Sequence, residues 1–366
     1  MDILTEEYYL NMGPQHPSTH GVLRLVLRID GEVVLDAVPD LGYLHRGMEK
    51  IAENRKYNQF LPFVDRIDYI TAMLGEQSYC MAVEKLLHLQ VPARAEHLRV
   101  IAAELNRIAS HLVWFGSFAM DLGAITPFLY AFREREKIID LLESLSGQRL
   151  TYHYIRIGGV HEDVPGDFIR KLEEFCKYFL PKVDDYEQLL TENIIFLKRT
   201  KNVGILSKEA AIDYGCTGPV LRGSGVKYDV RKDCPYSIYP EIEFDIPVGE
   251  NGDSWDRYKV RIEEMRQSVR IIEQVIKRLP DGPIMAQVPR VIKPEPGEVY
   301  SRVESSRGDL GFFMVSDGSL NPSRVKIRAP SFSNLCALRH IVKGLRVSDV
   351  VVVLGSIDIV LGEVDR

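Results

Sequence analysis

Apolar residues recur at helical spacing over several long stretches of the chain. The longest stretch begins after Pro92 and lasts to about Gly123. Its apolar positions step by three and four residues, at Leu98, Ile101, Leu105, Ile108, Leu112 and Phe115. At 1.5 Å per residue, this pattern predicts a helix of roughly 40 Å that forms the spine of the fold. Another face carries Glu104, Arg107 and His111, which we expect to form a solvated stripe of ion pairs of little energetic value.

Two further stretches have the same periodicity. Residues 167–200 are predicted to be helical, with one apolar stripe formed by Phe168, Leu172, Phe175 and Phe179. Residues 252–280 form a second clear helical pattern, in which apolar positions face inward and Glu and Arg residues form pairs on the outside. The Pro-Asp-Gly-Pro sequence at 280–283 ends that helix.

The segment from Val64 to Glu84 predicts a helix that follows Pro62. Asp65 is a plausible N-cap, and the dipole of the first turn favours the acidic Asp68. One apolar face would contain Tyr69, Met73, Cys80, Val83 and Leu87. Tyr69 therefore points toward packed protein, and its hydroxyl needs a hydrogen-bond partner. From periodicity alone, a core tyrosine is the favoured interpretation.

Strict alternation near the N-terminus predicts a β-hairpin. The segments GVLRLVLRID and EVVLDAVP meet at Asp30-Gly31, which is a strong turn signal. Its buried face would contain Leu23, Leu25, Leu27 and Ile29. The preceding residues 10–20 contain Gly and two prolines, which exclude a helix and predict a shaped loop. This loop presents His20 at the mouth of the hairpin, where a histidine that caps the turn is the alternative to a functional one.

These patterns predict an α+β chain with three parts in one integrated unit. Residues 1–65 would form an N-terminal β region, residues 66–290 a helical core, and residues 291–366 a C-terminal α/β region. Residues 214–239, rich in Gly, Pro and Tyr, are predicted to be loop. Residues 298–366 alternate short β segments with one helical stretch at 335–343.

Composition excludes several functions. The net charge of −6 over 366 residues provides no footprint for nucleic acid. The five cysteines occur singly without C-x-x-C, so the spacings of zinc ribbons and iron–sulfur clusters are absent, and a reducing compartment is indicated. No dinucleotide or P-loop glycine motif occurs. The longest apolar run, Val350 to Leu354, is too short to span a bilayer. No targeting peptide is visible at the N-terminus. We therefore expect a cytosolic chain whose membrane role is peripheral.

Several separated motifs carry a resemblance to a known family. They are GPQHPSTHG at 13–21, GYLHRGMEK at 42–50, VDRIDYITAM at 64–73, DLGAITPFLYAFRERE at 121–136, YIRIGG at 154–159, and LRGSGV at 221–226. The segment at 64–84 is similar to the first metal-binding segment of the large subunit of nickel–iron hydrogenases. Taken together, the motifs resemble the hydrogenase-like 49 kDa (D-type) subunit family of NADH:quinone oxidoreductase, respiratory complex I, over nearly the whole chain.

The resemblance implies a hydrogenase large-subunit fold, with a central helical bundle flanked by small β regions. It also implies that no metal is bound, because Asp68, Thr71, Val360 and Glu363 stand where hydrogenases have four cysteines. By the same resemblance, His20 and Tyr69 bind the oxygen of a quinone head group. Asp121, which the residues alone indicate to be a C-cap or turn aspartate, would orient His20 and share its proton.

Three further residues are placed by the resemblance near the terminal iron–sulfur cluster of a partner subunit. His45 and Arg46 belong to the motif at 42–50, although on their own they would be a surface basic pair. Thr151 stands where many family members have a histidine that takes up a proton when the cluster is reduced. Threonine cannot titrate, so we expect a low-potential quinone, menaquinone rather than ubiquinone.

The function implied is that of the quinone-binding subunit of proton-translocating NADH:quinone oxidoreductase. NAD and the iron–sulfur clusters would be held by partners, which include a B-like subunit that carries the terminal cluster, a C-like subunit and membrane subunits. The expected location is peripheral, on the cytoplasmic face of the bacterial cell membrane. Two alternatives remain: an equivalent subunit of a complex fed by ferredoxin or a deazaflavin, and a purely structural scaffold.

Overall fold

The computed structural model describes residues 7–16 and 21–366 as a mixture of helices and small antiparallel sheets. The strands are β1 (Glu7–Met12), β2 (Arg24–Asp30), β3 (Val33–Asp40), β4 (Ile155–Arg156), β5 (Gly159–Val160), β6 (Gly297–Ser305), β7 (Gly308–Ser316) and β8 (Arg324–Arg328).

The helices follow the same chain order. They are α1 (Met48–Glu53), α2 (Tyr57–Val64), α3 (Ala72–Leu86), α4 (Ala93–Asp121), α5 (Ile125–Ser146), α6 (Phe168–Tyr186), α7 (Ile194–Thr200), α8 (Lys208–Asp213), α9 (Gly218–Gly223), α10 (Val230–Asp233), α11 (Ser254–Arg278), α12 (Pro330–Cys336), α13 (Leu338–Ile341), α14 (Val347–Ile357) and α15 (Leu361–Asp365). A π-helical turn, Glu187–Thr191, follows α6, and a 3₁₀ turn, Tyr239–Glu241, precedes α11.

The N-terminal hairpin is confirmed. β2 and β3 pair antiparallel around Asp30-Gly31, and β1 adds a third strand on the free edge of β2. The predicted inward residues Leu23, Leu25, Leu27 and Ile29 are all buried. Because side chains alternate between the faces of a strand, this alternation was sufficient to fix which face packs.

The predicted spine is also confirmed. Helix α4 begins directly after Pro92, its N-cap residue. Proline has no amide hydrogen to donate, and the start of a helix tolerates this because its first amides have no partner within the helix. It packs against α5 and α11, and α11 begins at an Asp253 cap whose carboxylate accepts from the Asp256 amide. The apolar stripe of α6 is buried as predicted, at Phe168, Leu172, Phe175 and Phe179.

The first and last parts of the chain pack on each other. The apolar face of β1–β3 lies in one core with α13, α14 and α15, and the Val34 amide donates to the Leu345 carbonyl at 2.8 Å. The other three-stranded sheet, β6–β8, packs instead on α3 within the core of the long helices. The chain ends therefore meet beside the segment that joins α2 to α3.

The segment at 64–84 differs from the prediction. Two helices occur there, α2 with Pro62 inside it and α3 beginning at Ala72, with an irregular connection between them. Asp65 is the C-cap of α2 rather than the N-cap of α3. Its carboxylate accepts from the His153 amide at 3.1 Å instead of capping the following helix. Tyr69 consequently lies in the connection, not in the first turn of a helix.

The predicted solvated stripe on α4 is wrong. Glu104, Arg107 and His111 are each fully buried. They contact Glu264 on α11, Arg231 on α10 and the main-chain carbonyl of Glu304 on β6, which sequence spacing on α4 alone does not reveal.

Two other predictions of irregular or extended structure are wrong in part. Residues 214–239 contain the short helices α9 and α10, and the C-terminal part contains four helices after β8. The apolar run Val350 to Leu354 belongs to α14, where burial on nearly all sides removes the amphipathic signal. Among the described residues, no helix is both long enough and apolar enough to cross a membrane.

Candidate functional site

Tyr69 lies at the edge of a group of buried charges formed where the chain ends meet the α2–α3 connection. The residue is 39% exposed. Gly362 packs against this residue: a Cβ added there would lie 3.4 Å from Tyr69 Cε1, and only 2.7 Å from the Ile67 carbonyl oxygen, which leaves room for glycine alone. Burial raises the pKa of the Tyr69 hydroxyl, and the neighbouring Asp68 carboxylate raises it further. The hydroxyl of Tyr69 therefore keeps its proton and can donate a hydrogen bond to an acceptor.

Arg307 occupies the centre of this group. Its Nη1 donates to Asp68 Oδ2 at 2.7 Å and its Nη2 donates to Asp358 Oδ1 at 3.2 Å. The Thr71 hydroxyl donates to the same Asp68 oxygen at 2.5 Å. All four residues are buried, so each charge depends on its partners rather than on water.

Glu363 is the remaining carboxyl of the group. Its Oε2 accepts from the Ser331 amide at 3.1 Å, and the Ser331 hydroxyl accepts from the Val360 amide at 3.3 Å. Glu363 Oε1 is buried and has no hydrogen-bond partner within the described residues. Burial, and then the negative field of Asp68, raise the pKa of Glu363 to about 7. The structure thus brings together the four positions, 68, 71, 360 and 363, that the sequence grouped.

The loop at 42–46 is fixed to the end of the chain. The amides of Gly42 and Leu44 donate to the Asp365 carboxylate at 3.0 and 2.8 Å, and His45 Nδ1 lies 2.6 Å from the Asp365 carbonyl oxygen. Arg46 Nη2 donates to the Gly362 carbonyl at 3.1 Å, beside Tyr69. Arg46 therefore belongs to the group around Tyr69, whereas His45 is exposed and faces the end of the chain.

His20 lies outside the described residues. Gly21, the next residue in the chain, lies against α15, since a Cβ added there would be 3.1 Å from Leu361 Cδ1. Asp121 is the last residue of α4, and its Oδ2 lies close to α14, at 3.1 Å from the position of a Cβ at Gly355. Helix α14 ends immediately before Asp358, which Arg307 binds. Helix α14 thus connects the end of α4, at Asp121, with the Arg307 group.

Thr151 lies in a separate surface segment. Its φ is +54° and its hydroxyl donates to the Leu150 carbonyl at 2.6 Å. Two residues on, burial and the positive charge of Arg156 lower the pKa of His153 to about 4, so this histidine is neutral at physiological pH. Below this segment, the buried Asp65 and Glu76 carboxyls are in contact, and burial raises the pKa of both, that of Asp65 to about 6.

The chemistry of the site is that of proton donation to a polar head group. Tyr69 presents a protonated hydroxyl at the exposed edge, and buried carboxyls lie behind it. Within residues 7–16 and 21–366, no cluster of three or more His, Cys, Asp or Glu side chains is arranged to hold a metal ion. The guanidinium of Arg307 neutralises the buried carboxylates of Asp68 and Asp358.

Sequence reasoning missed Arg307 and Asp358. Arg307 lies in the turn between β6 and β7, where an Arg before Gly resembles any exposed hairpin turn. Asp358 has a φ of +60° and follows a buried helix, which sequence does not distinguish from an exposed cap. Nothing in the local pattern signals that either side chain is buried.

Comparisons with known proteins show the family of this chain. The family described as respiratory-chain NADH dehydrogenase, 49 Kd subunit, matches residues 121–296 and 287–366. A Solibacter usitatus protein, named as the second D subunit of an NADH-quinone oxidoreductase, is 55% identical over 98% of this chain and 97% of its own length. The D subunits of NADH-quinone oxidoreductase from Desulforamulus reducens and Dehalococcoides mccartyi are 54% and 55% identical, and each match covers 100% of both chains. This chain therefore belongs to the family of the 49 kDa subunit of the respiratory-chain NADH dehydrogenase.

Proposed function

We propose that this chain is the quinone-binding subunit of a proton-translocating NADH:quinone oxidoreductase. It passes electrons from an iron–sulfur cluster of a partner subunit to quinone. The observation that carries the proposal is Tyr69, a partly exposed residue whose hydroxyl keeps its proton and which directly follows Asp68, the partner of the buried Arg307. A quinone that takes up two electrons needs two protons, and a donor positioned before the reaction stabilises the charge that develops on its oxygen.

The roles of the site residues follow from the family resemblance. Tyr69 and His20 bind one quinone oxygen, and Asp121 is the partner of His20. Arg46, fixed by Gly362 beside Tyr69, and His45 face the cluster-carrying subunit together with Thr151. Because Thr151 does not titrate and His153 is neutral, reduction of the cluster takes up no proton at these two positions, which favours menaquinone.

An apolar surface supports the peripheral attachment of this chain to membrane subunits. It is formed at the end of α4, the start of α5 and the start of α7. Its exposed residues are Met120, Ile125, Leu129, Tyr130, Ile194 and Ile195. A cavity of about 290 Å³ joins the α4–α5 connection to α7, so the surface is continuous. Asp121 lies at the same end of α4, which places this surface next to the proposed quinone site. A partner that covers it removes apolar area from water.

The test of the proposal is Tyr69→Phe in the assembled complex. The substitution removes one donor at almost constant volume, so folding is preserved. NADH:quinone turnover should fall about 10²-fold, while NADH oxidation by an artificial acceptor, which bypasses this subunit, should not change. Tyr214→Phe is the matched control, because Tyr214 is equally exposed at 39% and lies directly after α8. Unchanged quinone turnover in Tyr69→Phe, or an equal loss with both acceptors, would refute the proposal. A complex that oxidises reduced ferredoxin but not NADH would reassign the donor.

A further inference from the structure

Tyr69 stands in a turn of the α2–α3 connection that Asp68 closes. The Asp68 carbonyl accepts from the Thr71 amide at 3.0 Å, and Asp68 Oδ1 accepts from the Ile70 amide at 3.2 Å. The Thr71 hydroxyl donates to the other oxygen of the same carboxylate, Oδ2. Because Asp68 is buried and also binds Arg307, the backbone before Tyr69 is fixed, although the tyrosine side chain is partly exposed.

The start of α3 has no local cap. Thr71 is the N-cap residue, but its side chain makes no capping hydrogen bond, since its hydroxyl donates to Asp68 instead. The first amides of a helix have no partner within the helix and are normally satisfied by the N-cap side chain. The Met73 amide, in the first turn of α3, therefore takes its acceptor from another part of the chain.

Asn106, in the middle of α4, provides that acceptor and a donor with one side chain. Its Oδ1 accepts from the Met73 amide at 3.1 Å, and its Nδ2 donates to the Ile70 carbonyl at 3.0 Å. A main-chain amide only donates and a carbonyl only accepts, so these two partners fix the orientation of the side-chain amide. Asn106 is fully buried on the longest helix, which makes its hydrogen bonds part of a rigid element.

Ile70 is consequently held at both of its main-chain polar groups. Its amide donates to Asp68, and its carbonyl accepts from Asn106. Since Ile70 directly follows Tyr69, the backbone is fixed on both sides of the tyrosine. A tyrosine side chain has only two torsions, so the place of its hydroxyl follows from this backbone and from the packing of the ring against Gly362.

We propose that Asn106 is a positioning residue of the quinone site, which fixes the turn at Ile70 and thereby aims the Tyr69 hydroxyl at the quinone oxygen. The inference rests on the proposed function. Asn106 acts only through Tyr69 in this role and does not touch the ligand. A displacement of about 1 Å in a reacting group is sufficient to lower a rate about 10²-fold, so loosening of the turn should be visible in turnover.

The first test measures NADH:quinone turnover of Asn106→Leu in the membrane-bound complex. Leucine has the same branched shape without polar atoms, so both hydrogen bonds are lost, and turnover should fall about 10-fold. Asn106→Ser keeps a hydroxyl that can make one of the two bonds, so its loss should be smaller; it replaces Asn106→Leu if that variant does not assemble. NADH oxidation by an artificial acceptor should not change in either variant.

A double-mutant cycle with Tyr69→Phe separates positioning from a general structural role. If Asn106 acts through the Tyr69 hydroxyl, Asn106→Leu should cause no further loss once that hydroxyl is absent. Losses that multiply in the double variant would overturn the inference, as would native turnover in Asn106→Leu beside an impaired Tyr69→Phe. Both of these outcomes leave the proposed function intact. Full activity of Tyr69→Phe would instead refute the proposed function.

Gln274→Leu is the matched control. Gln274 on α11 binds a loop in the same way, because its Oε1 accepts from the Glu243 amide at 3.0 Å and its Nε2 donates to the Glu243 carbonyl at 2.6 Å. Its loss breaks the same pair of hydrogen bonds at a segment that holds no residue of the proposed site. Quinone turnover of Gln274→Leu should therefore equal that of the native complex.

A second measurement does not depend on turnover. Hydrogen exchange in the purified complex should become faster at residues 68–73 in Asn106→Leu, since the Met73 amide loses its acceptor and the turn loosens. Exchange in the β2–β3 hairpin should remain native. Unchanged exchange at residues 68–73 would overturn the inference, and so would an equal increase in the hairpin, which would show a general loss of stability.

Discussion

Arg307 Nη1 lies 2.7 Å from Asp68 Oδ2, and both side chains are buried at the point where the chain ends meet the α2–α3 connection. The guanidinium of Arg307 also reaches Asp358, so one fixed cation compensates two buried carboxylates. Tyr69, the residue after Asp68, stays partly exposed beside this ion pair.

This relationship predicts a specific pattern of stability. Arg307→Met leaves Asp68 and Asp358 as uncompensated buried charges and should destabilise the protein by about 3–5 kcal/mol. Adding Asp68→Asn to that variant should recover part of the loss, because one stranded charge is removed. Thermal unfolding of Arg307→Met, of Asp68→Asn and of the double variant measures the coupling. Arg149→Met is the control: its ion pairs are exposed, so the substitution should lower the free energy of unfolding by no more than about 1 kcal/mol. An equally small loss in Arg307→Met would show that the ion pairs of Arg307 are not important for stability.

Asp121→Asn should lower quinone turnover less than His20→Ala does. In the proposed mechanism Asp121 acts through His20, so an amide weakens the partner of the histidine without removing it. Turnover with quinone and with an artificial acceptor should be compared for both variants in membranes. Asp140→Asn, an exposed aspartate on α5, serves as the control. A larger loss in Asp121→Asn than in His20→Ala would mean that Asp121 acts by another route.

Thr151→His should give the adjacent iron–sulfur cluster of the partner a pH-dependent potential. Reduction would favour protonation of the new imidazole, and by linkage the proton stabilises the reduced cluster and raises its potential. One proton per electron corresponds to a slope of about 59 mV per pH unit. Redox titration at several pH values compares this variant with the native complex, which should have a much smaller slope because His153 has a pKa of about 4. Equal slopes would contradict the proposed position of Thr151.

Leu129→Glu together with Ile194→Glu should release this subunit and its partners from membranes. Both residues are largely exposed within the apolar surface at the start of α5 and α7, at 60% and 67%. A charge there opposes burial against a membrane subunit. The amount of chain that sediments with membranes after a salt wash is the measurement. Ile212→Glu, at a 54% exposed position on α8, should remain bound. Equal retention of both variants would place the membrane contact elsewhere.

The sequence by itself determined the elements whose signals are local. Alternation fixed the buried face of the hairpin, and three-and-four spacing fixed the long helix α4 and the stripe of α6, because one face of each element meets the core. The separated motifs also determined the family, which the comparisons then confirmed. They grouped positions 68, 71, 360 and 363 through the family resemblance rather than through any pattern of polarity.

Only the tertiary structure decided how the charges are used. Glu104, Arg107 and His111 have the spacing of an exposed stripe, and they are buried because their partners lie on α10, α11 and β6, which are distant in the sequence. Arg307 likewise resembles an ordinary turn residue until the fold places Asp68 and Asp358 around it. Local pattern reports hydrophobicity along one element, whereas the burial of a charge depends on compensating groups that only folding brings within contact.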